Sequence, residues 1–309
     1  MDGLILVAQQ VFILFALMGV GAALRWTKLV DAKSIDGMVN LLILVVTPCL
    51  IVDCFQRPFE PAMLKSLLTG LILVIAWHVA MIAMAKFVVR TPDDAVRRPL
   101  LLAAVFSNAG FMGIPLEQAI LGSEGVFFGI IYVVVFNLFV WSWGIRVMKG
   151  DARGASAWKM FVNPGTVGIA LGLPLFLFSW RLPEVVAAPV HHLANLNTPL
   201  AMIVIGYSLA GARLGRVLRL RPAYAAAACR LVAFPLGMIA VLYPFRDWLD
   251  TRLMLATVIA ASAPVAAMVS MFAVKFGRDV DASVSVVCGS TLLSILTMPP
   301  IIALALAVL

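Results

Sequence analysis

Residues 107–115, Ser-Asn-Ala-Gly-Phe-Met-Gly-Ile-Pro, interrupt an apolar segment that extends from position 98 to position 120. One Asn, two Gly and one Pro fall close together there, a density of helix-breaking residues that few apolar helices contain. Proline lacks the backbone N–H and clashes with the preceding turn, so it bends or breaks a helix. In a membrane such a break is tolerated only where it is buried in protein or lines a wet cavity. The stretch therefore predicts a discontinuous helix.

The composition indicates that this segment lies in a membrane. Of the 309 residues, 63% are apolar and 12% are charged, whereas soluble domains carry roughly 25% charged residues. This balance excludes a soluble enzyme, and it excludes a disordered chain, which needs low hydrophobicity and high charge. A membrane helix takes about 20 residues, so the length allows about ten spans with short loops. We therefore predict an all-α polytopic membrane protein with the lipid bilayer as a partner.

Ten apolar runs separated by polar breaks are the candidate spans. They cover residues 4–24, 36–54, 62–88, 98–120, 125–148, 163–181, 190–212, 222–245, 252–276 and 284–308. The odd-numbered connections contain 17 of the 23 Lys and Arg residues, and the even-numbered connections with the two tails contain 5. Because basic residues concentrate in cytoplasmic loops, both termini are predicted to lie outside a bacterial-type plasma (inner) membrane. The net charge of +8 follows from this topology, and no nucleic-acid partner is expected.

The two halves of the chain share the order of their breaks. Pro115 in the fourth span and Pro264 in the ninth are 149 positions apart, and the Thr-Pro step at 47–48 recurs 151 positions later. Each half has an odd number of spans, so the second half is inverted in the membrane, as in many secondary transporters. The predicted domains are a first five-helix repeat at 1–148, a cytoplasmic connector at 149–162 and a second five-helix repeat at 163–309.

The paired breaks indicate a binding site. A half-helix that begins inside the membrane presents unpaired N–H groups and a positive dipole end, which attract an anion. Paired discontinuous helices are also a sequence pointer to the site of a transporter, although two ordinary proline kinks are the alternative. The candidate substrate-binding residues come from both breaks and from the Asn-Thr-Pro step of the seventh span: Ser107, Asn108, Gly110, Gly113, Pro115, Ser262, Pro264, Asn197 and Thr198.

Three ionisable residues are candidates for coupling or proton transfer, since such groups are costly at membrane depth. Asp53 ends the second span, and the alternative for it is an interfacial loop carboxylate. Glu117 follows Pro115 closely and is either a proton carrier or a cap toward the outer surface. Arg230, in the eighth span, is either a partner of a substrate carboxylate or a side chain that snorkels to the cytoplasmic side. The expected coupling ion is H⁺, with Na⁺ as the alternative, and neither a cofactor nor a metal site is expected.

Enzyme motifs do not occur in the sequence. HExxH, P-loop and GxGxxG patterns are missing. The stretch 206–210, Gly-Tyr-Ser-Leu-Ala, lacks the second glycine of a GxSxG elbow and lies in a helical pattern. We therefore expect a protein that is not an enzyme.

The segments around the breaks resemble the auxin efflux carrier family. The similar motifs are SNAGFMGIPL at 107–116, NPGTVGIALGLPLFL at 163–177, NTPLAMIVIGYSLA at 197–210, SAPVAAMVSMFAVKFG at 262–277 and STLLSILTMPPIIALA at 290–305. They cover essentially the whole chain in order. The resemblance implies a ten-helix fold related to that of bile acid:sodium symporters, in which helices 4 and 9 cross at the midplane and form the substrate site.

The resemblance also implies a function and a mechanism. It predicts a secondary active transporter of small organic anions, mono- or dicarboxylates such as malonate or malate. Helices 3–5 and 8–10 would form a transport unit that moves, as an elevator, past a scaffold of helices 1, 2, 6 and 7, which is expected to be a homodimer. The alternative is a non-transporting membrane receptor, or a channel, on the same scaffold.

Overall fold

The protein is helical throughout the part that its computed structural model describes, residues 2–150, 164–211 and 221–309. The helices are α1 (Asp2–Trp26), α2 (Ala32–Phe55), α3 (Pro61–Val88), α4a (Asp94–Val105), α4b (109–121), α5 (123–149), α6 (Pro164–Leu177), α7 (Glu184–Ala210), α8 (Pro222–Phe245), α9a (Thr251–Ser262), α9b (Met268–Lys275) and α10 (Val280–Val308). Most of the predicted connector, and the basic residues at 213, 216 and 219, lie outside the described ranges.

The predicted membrane class is confirmed by these helices. Seven helical segments of the described chain are long and apolar enough to cross a membrane, and α6 and α9a are shorter apolar helices. The longest segment, Ala109–Lys149, divides at Gly122, where φ is 70° and ψ is −160°. Such a backbone is essentially restricted to glycine, so the chain turns there and α4b is separate from α5. The ten predicted spans thus each correspond to a helix or a broken helix.

Several boundaries differ from the prediction by about four residues or more, and two of these differences have a clear local cause. The second span begins at Ala32, where the Asp31 side chain accepts a hydrogen bond from the Ser34 N–H at 2.7 Å and caps the helix. The seventh span begins at Glu184, before Pro189, whereas the sequence predicted a start after this proline. Because Pro189 lies in the second turn of the helix, the ring removes a hydrogen bond without ending the helix.

Three helices widen into a π turn just before a proline. The wide turns are Leu42–Val46, Ala109–Gly113 and Cys229–Ala233, and prolines follow at positions 48, 115 and 235. In each case the residue before the proline donates its N–H to the carbonyl five positions earlier. The proline ring would clash with the carbonyl four positions before it, and a π turn moves that carbonyl aside. Each of these prolines therefore widens the turn before it, and the helix continues through the proline.

Glycines set the closest helix contacts. A Cβ on Gly21 of α1 would overlap the backbone of Ile203 in α7, and a Cβ on Gly206 of α7 would overlap the backbone of Met18 in α1. Gly168 packs in the same way against α2 at Pro48 and Ile51. Helix α1 of the first half thus packs against α7 of the second half, and α2 packs against α6. These two pairs are equivalent to each other when two inverted repeats are related by symmetry. The residue boundaries of the predicted repeats stay a prediction.

Large apolar side chains cover the outside of this bundle. Phe12 is 74% exposed, Ile72 is 70% exposed and Leu296 is 72% exposed. In water such a surface would associate, whereas in a bilayer it faces hydrocarbon. The interior contains the two broken helices, which α4b and α9a bring into contact at Gly113 and Ala260. The candidate site therefore lies in the buried centre of the protein.

Candidate substrate site at the helix crossover

The two broken helices cross as antiparallel extended segments. Ser107 pairs with Val265 in an isolated bridge. The Asn108 N–H donates to the Pro264 carbonyl at 2.7 Å, and the Ala266 N–H donates to the Phe106 carbonyl at 3.0 Å. Each break thus supplies partners for backbone groups that the other leaves free, as a buried interruption requires. The predicted crossing of helices 4 and 9 is confirmed.

The beginning of α4b has the geometry of an anion site. The first N–H groups of a helix have no acceptor within the helix, and they lie at its positive dipole end. A Cβ on Gly110 would meet no atom within 4 Å, so this first turn faces open space. The Ser107 hydroxyl beside it is buried and has no hydrogen-bond partner among the described residues. Open donors in a buried setting are what binding of a carboxylate needs.

The ninth helix contributes in a different way. The Ser262 hydroxyl donates to the Val258 carbonyl at 2.6 Å, within its own helix. The Val265 N–H donates to the Ser290 hydroxyl of α10 at 3.1 Å. Both groups already have partners, and Pro264 offers its carbonyl to Asn108. Ser290 was not predicted as a site residue, although it begins the motif at 290–305.

Arg230 holds the ends of two half-helices. It is fully buried, and its guanidinium donates to the Val105 carbonyl of α4a at 2.8 Å and to the Ala261 carbonyl of α9a. These carbonyls belong to the last turns of helices, where the dipole is negative and carbonyls lack partners. The guanidinium therefore neutralises both C-terminal ends at the crossover, which is an anchoring contact and not the snorkelling that the sequence suggested.

A cavity of about 440 Å³ lies between the end of α2, the middle of α7 and the turn from α4b to α5. Its lining includes three predicted residues, Asp53, Asn197 and Thr198. It also contains residues that the site prediction missed: Gln56, Arg57, Gln118, Ser123, Glu124, His191 and Asn195. The crossover residues lie outside its lining, but Ile114, one position before Pro115, is part of the wall. The predicted site residues thus form two groups, one at the helix crossover and one in the cavity.

Arg57 is the main positive charge of this cavity. Its guanidinium donates to the carbonyls of Cys54, at 2.8 Å, and Ser123, at 3.1 Å, and lies 4.5 Å from the ring centroid of Phe127. Burial lowers the pKa of Arg57 from its ordinary value, but a guanidinium remains charged in proteins. The sequence could have indicated Arg57 as a site residue, because it is a basic residue in a connection predicted to be external, where such residues are rare.

A hydrogen-bonded Asp–His pair and an Arg–Glu ion pair lie at the rim of the cavity. Asp53 is 3.0 Å from His191, which joins the end of α2 to α7. Glu124 pairs with Arg252, which joins the turn after α4b to the beginning of α9a. Inside the cavity, Asn197 is 3% exposed and its Nδ2 has no partner among the described residues. An unsatisfied buried donor of this kind is costly unless a ligand or water completes it.

Glu117 lies in α4b beside Gln118 and one turn after Ile114, two residues of the cavity lining, but it is not itself part of that lining. It is fully buried, and neither carboxyl oxygen has a hydrogen-bond partner in the described structure. It is therefore not a cap at the outer surface. In the described chain, no group of three or more His, Cys, Asp or Glu residues is placed to hold a metal ion.

Comparison with known proteins decides the family. The membrane transport protein family matches residues 6–157 and 153–302, nearly the whole chain. The chain belongs to this family. It is the auxin efflux carrier family that the motifs resemble.

A curated member gives a more distant comparison. An "Uncharacterized transporter" of Methanothermobacter thermautotrophicus (strain Delta H) is 30% identical over 207 residues. The aligned region spans 65% of this chain and 65% of that relative. The relative supports a multi-pass membrane transporter. Its printed description gives no substrate.

Proposed function

We propose that this member of the membrane transport protein family is a secondary carrier of small organic anions, mono- or dicarboxylates such as malonate or malate. The observation that carries the proposal is the open first turn of α4b, where Gly110 leaves space and the Ser107 hydroxyl has no partner. The stretches 106–116 and 262–268 contain no Lys, Arg, Asp or Glu. An anion there would be held by helix N–H groups and neutral donors, without a buried salt bridge.

The cavity supports a carrier with alternating access. One wall comes from α2 and α7 and the other from α4b and α5, and these belong to the proposed scaffold and to the proposed transport unit. Sliding of α4b along α2 would bring the crossover to this cavity, and the opposite movement would close it. We place the cavity on the external side of a bacterial-type plasma membrane, with both termini outside. A homodimer joined through the scaffold completes the proposal.

Counterflow in proteoliposomes tests the proposal. Purified protein is reconstituted with unlabelled malonate inside and labelled malonate outside, and then with a panel of other mono- and dicarboxylates. A carrier gives transient accumulation of the label that depends on the internal anion. A receptor binds without flux, and a channel gives flux without stimulation by internal substrate; either result, with the whole panel, would remove the carrier proposal.

A matched pair of variants tests the site. Gly110→Val places a side chain in open space at the first turn of α4b, so the protein should fold while the anion is displaced. We expect at least a tenfold loss of counterflow. Gly19→Val is the control, because a Cβ on Gly19 also meets no atom within 4 Å but lies in α1. Equal transport by the two variants would show that the first turn of α4b does not bind the substrate.

A further inference from the structure

Glu117 is a buried acid without a counter-charge. Its exposure is 0%, and both carboxyl oxygens lack hydrogen-bond partners among the described residues. A carboxylate in such a setting is very unfavourable, because burial removes its water and nothing replaces it. Such a setting favours the neutral acid, with a proton bound, over the carboxylate.

Glycines make room for this carboxyl. The carboxyl occupies the space that a Cβ on Gly129 of α5 would need, so the two residues fit only because position 129 has no side chain. A Cβ on Gly113, one turn before Glu117, would lie 3.7 Å from its Oε1. The acid is thus enclosed between its own helix and α5.

The neighbouring elements offer few titratable groups. On α2 and the loop after it, the titratable groups nearby are Cys54, Asp53 and Arg57, all of which line the adjacent cavity. From α5, Glu124 is paired with Arg252, and Tyr132 lies one turn after Gly129. From α9a, residues 253–262 contain no ionisable side chain, and neither do residues 3–24 of α1. No cation among these groups forms a salt bridge with Glu117 in the described structure.

A layer of side chains that line the cavity lies next to this acid. Its sequence neighbour Gln118 lines the cavity, and so does Ile114, one turn earlier on the same helix. Cys54 lines the cavity from the facing helix α2. The layer lies between α2 and α4b, which belong to the two units that move past each other in the proposed mechanism. The movement that exposes the crossover would therefore also expose Glu117.

We propose that Glu117 is the proton-binding site that couples this carrier to the proton gradient, an inference that rests on the proposed anion transport. The Glu117 carboxylate takes one proton from water in the external cavity. The neutral acid is then enclosed during the movement and releases the proton on the other side. One proton moves with each substrate anion, and the protein needs no other coupling ion.

Glu117→Gln tests the proposal, since the amide is close in shape and cannot carry the proton. We expect the variant to keep at least a third of wild-type counterflow, which needs no net coupling. We expect it to lose accumulation driven by an imposed proton gradient and to lose the pH dependence of exchange. Glu184→Gln is the matched control, because this acid is exposed at the beginning of α7, lies outside the cavity lining and should leave gradient-driven accumulation unchanged. Gradient-driven accumulation by Glu117→Gln at the wild-type level would overturn the proposal.

Infrared spectroscopy tests the proton without transport or mutation. The chain has four glutamates, and Glu60 and Glu184 are exposed while Glu124 is paired. With ¹³C-labelled glutamate in the wild-type protein, we expect the isotope-shifted stretch of one protonated carboxyl at neutral pH. A spectrum with only ionised glutamates would overturn the proposal even if the Gln variant did not fold. If counterflow failed with every anion while the protonated band was present, the proposed substrate class would be wrong and the proton site would stand.

Discussion

Replacement of Arg230 by methionine tests how the crossover is held together. In the wild type one guanidinium donates to carbonyls at the ends of α4a and α9a, residues 105 and 261. Methionine fills a similar volume without a donor, so both carbonyls lose their partner in a site with no exposed surface. The perturbation thus removes hydrogen bonds and charge while it leaves most of the packing.

The expected cost follows from these two contacts. A buried acceptor that loses its donor costs roughly 1–3 kcal/mol, and the two helix ends also lose a neutralising charge. Without the guanidinium, the protein no longer bears the free-energy cost of burying this charge away from water, and this gain offsets part of the loss. We therefore expect Arg230→Met to lower the free energy of unfolding by about 2–4 kcal/mol. The free energy of unfolding of Arg230→Lys should lie between those of the wild type and Arg230→Met, because an ammonium lacks the planar fork that reaches both carbonyls.

The assay is unfolding in mixed micelles by titration with sodium dodecyl sulfate, followed by circular dichroism. Arg252→Met is the control for a lost basic residue, since its bridge to Glu124 is solvent-exposed and such pairs contribute about 0–1 kcal/mol. If Arg230→Met and Arg252→Met had the same free energy of unfolding, the anchoring contact would not stabilise the crossover and the reasoning would be refuted.

Two further variants probe other parts of the structure. Gly206→Ala should destabilise the protein and separate α1 from α7, because the added Cβ would overlap the Met18 backbone. Gly19→Ala is the control and should not destabilise the protein, because a Cβ there has open space. Equal unfolding midpoints of the two variants would contradict this prediction. Asn197→Ala should change stability by less than about 1 kcal/mol, since its Nδ2 loses no hydrogen bond, but should weaken malonate binding measured by calorimetry if the cavity is on the substrate path. Unchanged binding would exclude Asn197 from that path.

The main features of the fold could be predicted from the sequence because they depend on local chemistry. Proline and glycine act locally on the backbone, so the interruptions near Asn108 and Pro264 were visible without a structure, although Pro115 itself lies inside α4b. The start of α7 was missed because a proline in an early turn resembles one that ends a helix. The turn between α4b and α5 lies at Gly122, within the connection that the sequence predicted between residues 120 and 125.

The site could be predicted only in part, because its contacts join residues that are distant in the chain. Arg230 reaches two carbonyls, and carbonyls are present at every position, so sequence alone does not select those of Val105 and Ala261. The cavity is formed by Arg57, Gln118 and His191, which come from a loop and two helices without any shared periodicity. Glu117 was predicted as a candidate, but its isolation depends on Gly129 of another helix.

At the crossover the backbones of the two breaks are arranged symmetrically, but their side chains and hydrogen bonds differ. Four helix ends meet there: the C-terminal ends of α4a and α9a, which are negative, and the beginnings of α4b and α9b, which are positive. Arg230 neutralises the negative pair. Of the two breaks, the α9 side has its Ser262 hydroxyl and Val265 N–H bonded, whereas the Ser107 hydroxyl and the open first turn beginning at Ala109 are free for a ligand. On the α4b side, the positive field at the crossover is therefore combined with free donors, and an anion bound there would move with α4b.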